Sequence, residues 1–256
     1  MDRRVIGEPV LDVKGVSKYY GGLGAVVGVS FSVNGGEILG IVGPNGAGKT
    51  TLFDLISGQT RASSGDVLVD GKSVVGTSVH SRSHRGVART FQQPTVASSL
   101  TVLENMLLAT NFRHKTGAAA SDTRSTLEAA YDYLEFVGLG AKSEATSGTL
   151  GVFDTKRLML GTALALGPRV LLLDEPFGGL SLHEIEATIE LINRSRGEGM
   201  AIVCIEHVMR ALISLADRVH VMHHGASIFE GSPEAMLADD QVIEVYLGSR
   251  HRKAAS

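Results

Sequence analysis

Apolar and polar positions alternate in two early stretches of the chain, Val10 to Val13 and Gly28 to Val33. A period of two marks a strand with one face buried. Residues 10–40 therefore read as strands joined by turns, one turn at Gly15 and a hairpin-type turn at Asn34-Gly35-Gly36. Glu37 to Val42 changes character and is almost continuously apolar, as in a strand buried on both faces. Leu52-Phe53-Asp54-Leu55-Ile56 moves to helical spacing. Ser63 to Lys72 predicts a turn, a short strand and another turn. A further strand stops at Gln92, and Pro94 biases Gln93 away from helix.

From about residue 94 to 165 the pattern is helical. Thr101 with Glu104 three residues on forms a capping box for a helix over 101–109. Leu127 to Val137 is an amphipathic helix ending at Gly138. Residues 111–125 mix small, polar and basic side chains without a period and predict a loop. Two apolar runs that end in polar residues follow, Arg169 to Pro176 and Met200 to Glu206, separated by a helix over His183 to Arg194. Met209 to Ala216 predicts helix, and Arg218 to Met222 and Gly225 to Glu230 predict strands. Glu234 to Tyr246 predicts one terminal helix, with Pro233 in its first turn.

The link between Glu37–Val42 and Leu52–Ile56 carries the chemistry. It reads Gly43-Pro44-Asn45-Gly46-Ala47-Gly48-Lys49-Thr50-Thr51, which is G-x-x-x-x-G-K-T between a buried strand and a helix. Glycines allow a tight turn whose N–H groups face one hollow, and the helix adds its positive end. Lys49 can reach the outer phosphates of a nucleotide, and the Thr50 hydroxyl can bind Mg²⁺. The expected fold is α/β: a P-loop NTPase core with an antiparallel β subdomain and an inserted helical lobe. We expect a single domain over 8–250, with the core at 8–93 and 166–250, the lobe at 94–165 and a basic tail at 251–256.

Composition excludes more than it adds. A 256-residue chain with 43% hydrophobic residues has ample material for a core. A formal net charge of −3 gives no global pull toward nucleic acid, which is not an expected partner. The single cysteine, Cys204, lies in an apolar run and reads as a small core residue. No targeting segment is visible after Met1, and no apolar run reaches the roughly 18 residues needed to span a bilayer. Work at a membrane would need another chain to cross it.

The second anchor is Leu171-Leu172-Leu173-Asp174-Glu175-Pro176, a buried strand with two acids at its C-terminal edge, where α/β proteins bind ligands. Asp174 is placed to hold the Mg²⁺ shell, and Glu175 to orient or deprotonate a water. One crossover later the next strand ends in Glu206-His207, so His207 can face the same crevice. Tyr19 and Tyr20 can offer a flat face to a base or sit half-buried in a strand. His223-His224 lacks further ligands and reads as solvated, as does the basic tail Arg250-His251-Arg252-Lys253.

The order of these motifs resembles the ATP-binding subunit of ABC transporters over about Val10 to Gly248. Tyr20-Gly21-Gly22-Leu23, Ala88-Arg89-Thr90-Phe91-Gln92 and Val245-Tyr246-Leu247-Gly248 are similar to the branched-chain amino-acid importer type. The resemblance implies that Tyr20 stacks on adenine and that Gly43, Asn45, Gly46, Ala47, Gly48, Lys49, Thr50 and Thr51 cradle the phosphates of ATP. It implies that Gln92 senses Mg²⁺ and the attacking water, that Asp174 joins Thr50 and Gln92 around the metal, that Glu175 is the catalytic glutamate and that His207 contacts the γ-phosphate. It also implies head-to-tail dimers on the cytoplasmic face of the membrane, driving permease subunits fed by an external solute-binding protein.

One motif departs from that family. Where Leu-Ser-x-Gly-Gln is usual, the chain has Leu150-Gly151-Val152-Phe153-Asp154. Gly151 lacks the hydroxyl that serves the partner's γ-phosphate, and Phe153 adds bulk where backbone must approach phosphate. Ser181 stands where an aspartate is common. The expected partner is a second ATP-binding subunit, in a heterodimer in which this chain's Walker residues face a partner's intact signature, or in a homodimer in which backbone N–H groups suffice and the variation is tolerated. Three functions follow: a transport ATPase for a small polar solute such as an amino acid; a low-activity ATP-binding clamp, favoured by the altered signature; and a soluble ABC-type ATPase outside transport, which membrane fractionation separates.

Overall fold

A computed structural model describes residues 9–112, 125–197 and 199–247. The loop expected at 111–125 falls mostly outside these residues, as does the basic tail. Among the described residues, ten strands form two sheets. β1 (Leu11–Tyr20), β2 (Leu23–Val33), β4 (Ser64–Val69) and β5 (Lys72–Ser73) make an antiparallel sheet of order β2-β1-β4-β5. β3 (Ile38–Val42), β6 (Val87–Arg89), β7 (Val170–Asp174), β8 (Ala201–Ile205), β9 (Arg218–His223) and β10 (Ala226–Gly231) make the other, of order β10-β9-β3-β8-β7-β6. All of its pairings are parallel except β9 with β10.

The five-residue apolar runs are buried on both faces because each face packs against a different layer. Leu39, Ile41, Leu172, Val203 and Ile205 point to a core shared with α1 (Lys49–Ser57) and the antiparallel sheet. Ile38, Val42, Leu171, Leu173, Ile202 and Cys204 point to the opposite core. There they meet α3 (Val102–Asn111), α4 (Thr126–Phe136), α5 (Val152–Ala165), α6 (Leu182–Ser195) and α7 (Met209–Leu215). A short α2 (Val79–His84) precedes β6. Cys204 is fully buried in this core, and burial raises its thiol pKa well above the usual range. The capping box at Thr101 and Glu104 is present, and Ser125 with Glu128 forms another.

Four local expectations are corrected. β1 runs straight through Gly15, which at φ 56° forms a bulge between Val13 and Val16 rather than a turn. Asn34-Gly35-Gly36 does turn, but it joins β2 to β3 in different sheets, so it is no hairpin. A Cβ on Gly35 would lie 2.7 Å from Gly199 Cα, so the glycine serves close backbone approach. β6 ends at Arg89, three residues before Gln92. The terminal helix is two, α8 (Pro233–Ala238) and α9 (Asp240–Leu247). Asp239 is extended between them and caps the second, accepting from Val242 N at 2.9 Å.

On the far edge, buried His220 joins β9 to β10. Its Nδ1 lies 2.9 Å from Glu230 Oε2 and its Nε2 2.8 Å from Ser227 Oγ. Arg218 also pairs with Glu230. The His220 hydrogen bond, aided by Arg218 and opposed by partial burial, holds the Glu230 pKa below its ordinary value. A lowered carboxylate contributes stability above its unfolded pKa and loses it as pH falls through the folded one. Glu230→Gln is expected to lower the neutral plateau of the stability curve and to flatten its acid limb below about pH 4.3, so that parent and variant converge at low pH. Thermal melts from pH 3 to pH 7 read this directly.

Candidate active site

The P-loop leaves β3 at Gly43 and enters α1 at Lys49. Its glycines are imposed by crowding. Gly43 has φ 151°, and a Cβ there would sit 2.2 Å from Met222 O. Gly48 has φ 99° and is equally close to Ala25 O. Any side chain would push the loop off β9 and β2. The Ala47 carbonyl accepts from Gly225 N at 3.0 Å, which ties the loop to the β9–β10 turn. Lys49 lies folded within the loop, donating to Gly43 O at 2.7 Å and Pro44 O at 3.0 Å. Burial lowers its pKa, while Glu175 and Asp174 pull the other way.

A cleft of about 420 Å³ opens over this loop. Asn45, Gly46, Ala47, Gly48, Lys49, Thr50 and Thr51 line it, with Gln92, Glu175 and His207 opposite. These residues come from segments far apart in the chain, and each was a candidate from the sequence. Glu175 is their hub. Gln92 Nε2 donates to Glu175 Oε2 at 2.9 Å, and His207 Nε2 lies 2.9 Å from Oε1. Glu175 itself takes φ 50°, a left-handed conformation that costs a non-glycine residue about 1–3 kcal/mol. Two contacts hold it there: its N–H donates to Ile205 O at 2.9 Å, and its carbonyl accepts from Lys156 Nζ at 2.8 Å.

Asp174 ends β7, buried, with Oδ2 2.8 Å from Arg89 Nη2. It does not line the cleft but neighbours Glu175, which does. Tyr20 stands apart. It is 51% exposed at the end of β1, with the Lys18 ammonium 4.8 Å from its ring centre, and is not among the lining residues. Tyr246 is likewise outside the cleft; burial raises its pKa, and the Gly43 backbone opposes the rise.

Three residues of this site were not anticipated. Arg89 is one and Lys156 another; burial lowers the Lys156 pKa against the pull of Glu206 and Glu175. Glu206 is the third. Its carboxylate accepts from Phe177 N at 2.7 Å, His207 N at 2.9 Å and Val208 N at 3.0 Å, so it clips the segment after Glu175 to the one carrying His207. Burial raises its pKa, and these backbone donors oppose the rise. The only local sign of Glu206 was a carboxylate ending an apolar strand.

The altered signature lies at the start of α5. Gly151 is its N-cap residue, extended at φ −67° and ψ 167°, with no side chain to cap the helix. A Cβ there would meet nothing within 4 Å. Phe153 lies half-buried with the Arg157 guanidinium 5.0 Å from its ring centre. Asp154 pairs with Lys142 and, at 3.1 Å, with Arg157. Ser181 is the N-cap of α6 in a capping box with Glu184, which explains a small hydroxyl there without reference to a nucleotide.

This geometry agrees with comparisons to known proteins. Residues 26–178 match the family model for ABC transporters. The chain belongs to the ABC transporter family. Residues 228–252 also match a model described as branched-chain amino acid ATP-binding cassette transporter. The chain is 35% identical to BraF of Pseudomonas aeruginosa, a high-affinity branched-chain amino acid transport ATP-binding protein, covering 95% of this chain and 99% of that protein. It is 32% identical to LivG of Escherichia coli over the same shares. It is 29% identical to the lipopolysaccharide export ATP-binding protein LptB of Haemophilus influenzae. A solved ABC cassette in its ADP conformation superposes with a TM-score of 0.85 at 29% identity, covering 95% of this chain and all of that one.

Membership of the ABC transporter family makes the chain an ABC ATPase, an ATP-binding subunit of a transporter. No helix among the described residues is long and apolar enough to cross a membrane.

Proposed function

We propose that the chain hydrolyses Mg-ATP to power import of branched-chain amino acids, or similar small polar solutes, through permease subunits at the cytoplasmic face of the membrane. An external solute-binding protein delivers the solute. The observation that carries the chemistry is Glu175, held by Gln92 on one oxygen and His207 on the other at the mouth of the P-loop cleft. Lys49 and the loop N–H groups bind phosphate oxygens, and Lys49 must leave Gly43 O to do so. Glu175 takes the proton of the attacking water. Gln92 and His207 keep its carboxylate aimed, and His207 reaches the γ-phosphate. Thr50, Gln92 and Asp174 offer hydroxyl, amide and carboxylate oxygens, the hard donor set that Mg²⁺ prefers. Mg²⁺ held by them would neutralise charge on the phosphate oxygens. Tyr20, at the exposed end of β1, is the aromatic available to the base.

The solute class rests on BraF and LivG, both named for branched-chain amino acids and both matched over nearly their full length. Reconstitution with permease subunits in vesicles tests it. Leucine, isoleucine and valine are expected to be taken up in an ATP-dependent manner. Uptake of a different solute, with none of these three, overturns the substrate.

Gly151 and Phe153 favour an asymmetric dimer. ATP on this chain's Walker residues would face a partner subunit's complete signature, and ATP on the partner would face Gly151–Asp154. A low-activity clamp is the second reading, favoured by the same two residues. Glu175 and His207 weigh against it.

A further inference from the structure

Arg89 sits where three elements that build the site meet. It ends β6, pairs in register with Leu172 of β7, and reaches across to α1. Nη1 donates to Asp54 Oδ1 at 2.6 Å and lies 3.4 Å from Ser57 Oγ; Nη2 donates to Asp174 Oδ2 at 2.8 Å. The Arg89 side chain is 6% exposed, and its guanidinium lies 5.4 Å from the ring centre of Phe53 and 4.9 Å from that of Phe91. Its Nε has no partner among the described residues. The head group is thus fixed by two carboxylates and bounded by two aromatic rings.

The charges decide what this arrangement does. A guanidinium paired with one carboxylate cancels it. Here it is shared between two, so the three groups sum to −1. Asp54 balances Arg89, and Asp174 keeps its attraction for a cation while one of its oxygens is held still. Asp54 lies one helical turn beyond Thr50, so the same contact fixes α1 and β7 relative to each other.

We propose that Arg89 is a positioning residue for Asp174, and that Asp54 sets the charge of the cluster so that the nucleotide complex binds its divalent cation tightly. This rests on the reading of Asp174 as a metal residue. A forked side chain is required, because one Lys ammonium cannot present separate nitrogens to the two carboxylates.

The test uses the full chain, a fluorescent ATP analogue and a divalent cation titration. Binding is measured first in excess EDTA, then with rising Mg²⁺, and Mn²⁺ electron paramagnetic resonance provides a readout of the metal alone. Asp54→Asn changes a position whose side chain is 26% exposed, so the fold should tolerate it. It is expected to leave analogue binding in EDTA within about twofold of the parent and to raise the half-saturating Mg²⁺ about threefold to tenfold, as one partly screened charge would. Arg89→Lys keeps the charge of the cluster and loses the fork, so it is expected to bind the metal more weakly than the parent. Unchanged metal affinity in Asp54→Asn overturns the proposal. So does an equal loss of analogue binding with and without metal, which marks a purely structural role. If the parent protein itself binds the analogue equally with and without Mg²⁺, the reading of Asp174 fails first and the proposal with it.

Discussion

In a dimer with a subunit whose signature is complete, Glu175→Gln is expected to slow Mg-ATP hydrolysis by about 10²–10⁴-fold, the usual worth of a general base. Nucleotide binding should survive. The change keeps the size and planarity of the side chain. An amide oxygen can still accept from Gln92, and the amide NH₂ can donate toward His207 if that ring presents a bare nitrogen. What is lost is the capacity to take a proton. The backbone should stay in place, because Lys156 Nζ and Ile205 O grip main-chain atoms of residue 175 and ignore its side chain. The variant should therefore trap ATP without turning it over. Phosphate release together with equilibrium ATP binding measures both halves. Hydrolysis in that dimer within about threefold of the parent, far short of a general base's usual worth, would remove Glu175 from its assigned role.

The second large effect is a gain. Gly151→Ser combined with Phe153→Gly is expected to raise turnover about 10²–10³-fold at the site that this signature serves, the usual worth of an oriented donor at a developing anion. The structure says that the pair should fold. Position 151 has extended backbone and open space for a Cβ, so serine fits. As the N-cap of α5, serine should add a few tenths of a kcal/mol over glycine. Losing the Phe153 ring removes its contact with Arg157, and glycine inside a helix costs about 1 kcal/mol. The net loss is modest for a chain with two buried cores. Turnover is measured in homodimers and in mixtures with a subunit whose own signature is complete. No rise in any pairing would mean that backbone donors already suffice.

How much of this was legible depended on the range of the interaction. The P-loop and the apolar runs into Gly43 and Asp174 are local patterns, and they gave strands that are buried along their full length. Candidate residues at the ends of those runs converge for a topological reason: β3, β7 and β8 are parallel, so their C-terminal ends lie at one edge of the sheet. Arg89, Lys156 and Glu206 went unseen because each works through a partner 19 to 85 residues away, which leaves no period or spacing to read. Local signals misled where the tertiary setting overrode them. Asn34-Gly35 looks like a hairpin whichever sheet the next strand joins. Asp239 interrupts a helical pattern because its carboxylate is worth more as a cap.

The central claim is that this chain supplies a complete Walker face and an incomplete signature. Steady-state Mg-ATP hydrolysis by the purified chain alone, beside its Glu175→Gln variant and a measurement of ATP binding, tests that claim most directly. The account predicts that both proteins bind ATP and that the parent hydrolyses it no faster than the variant until a subunit with a complete signature is added. Rapid hydrolysis by the chain alone, abolished in Glu175→Gln, would contradict it and show that Gly151 and Phe153 serve a working homodimer.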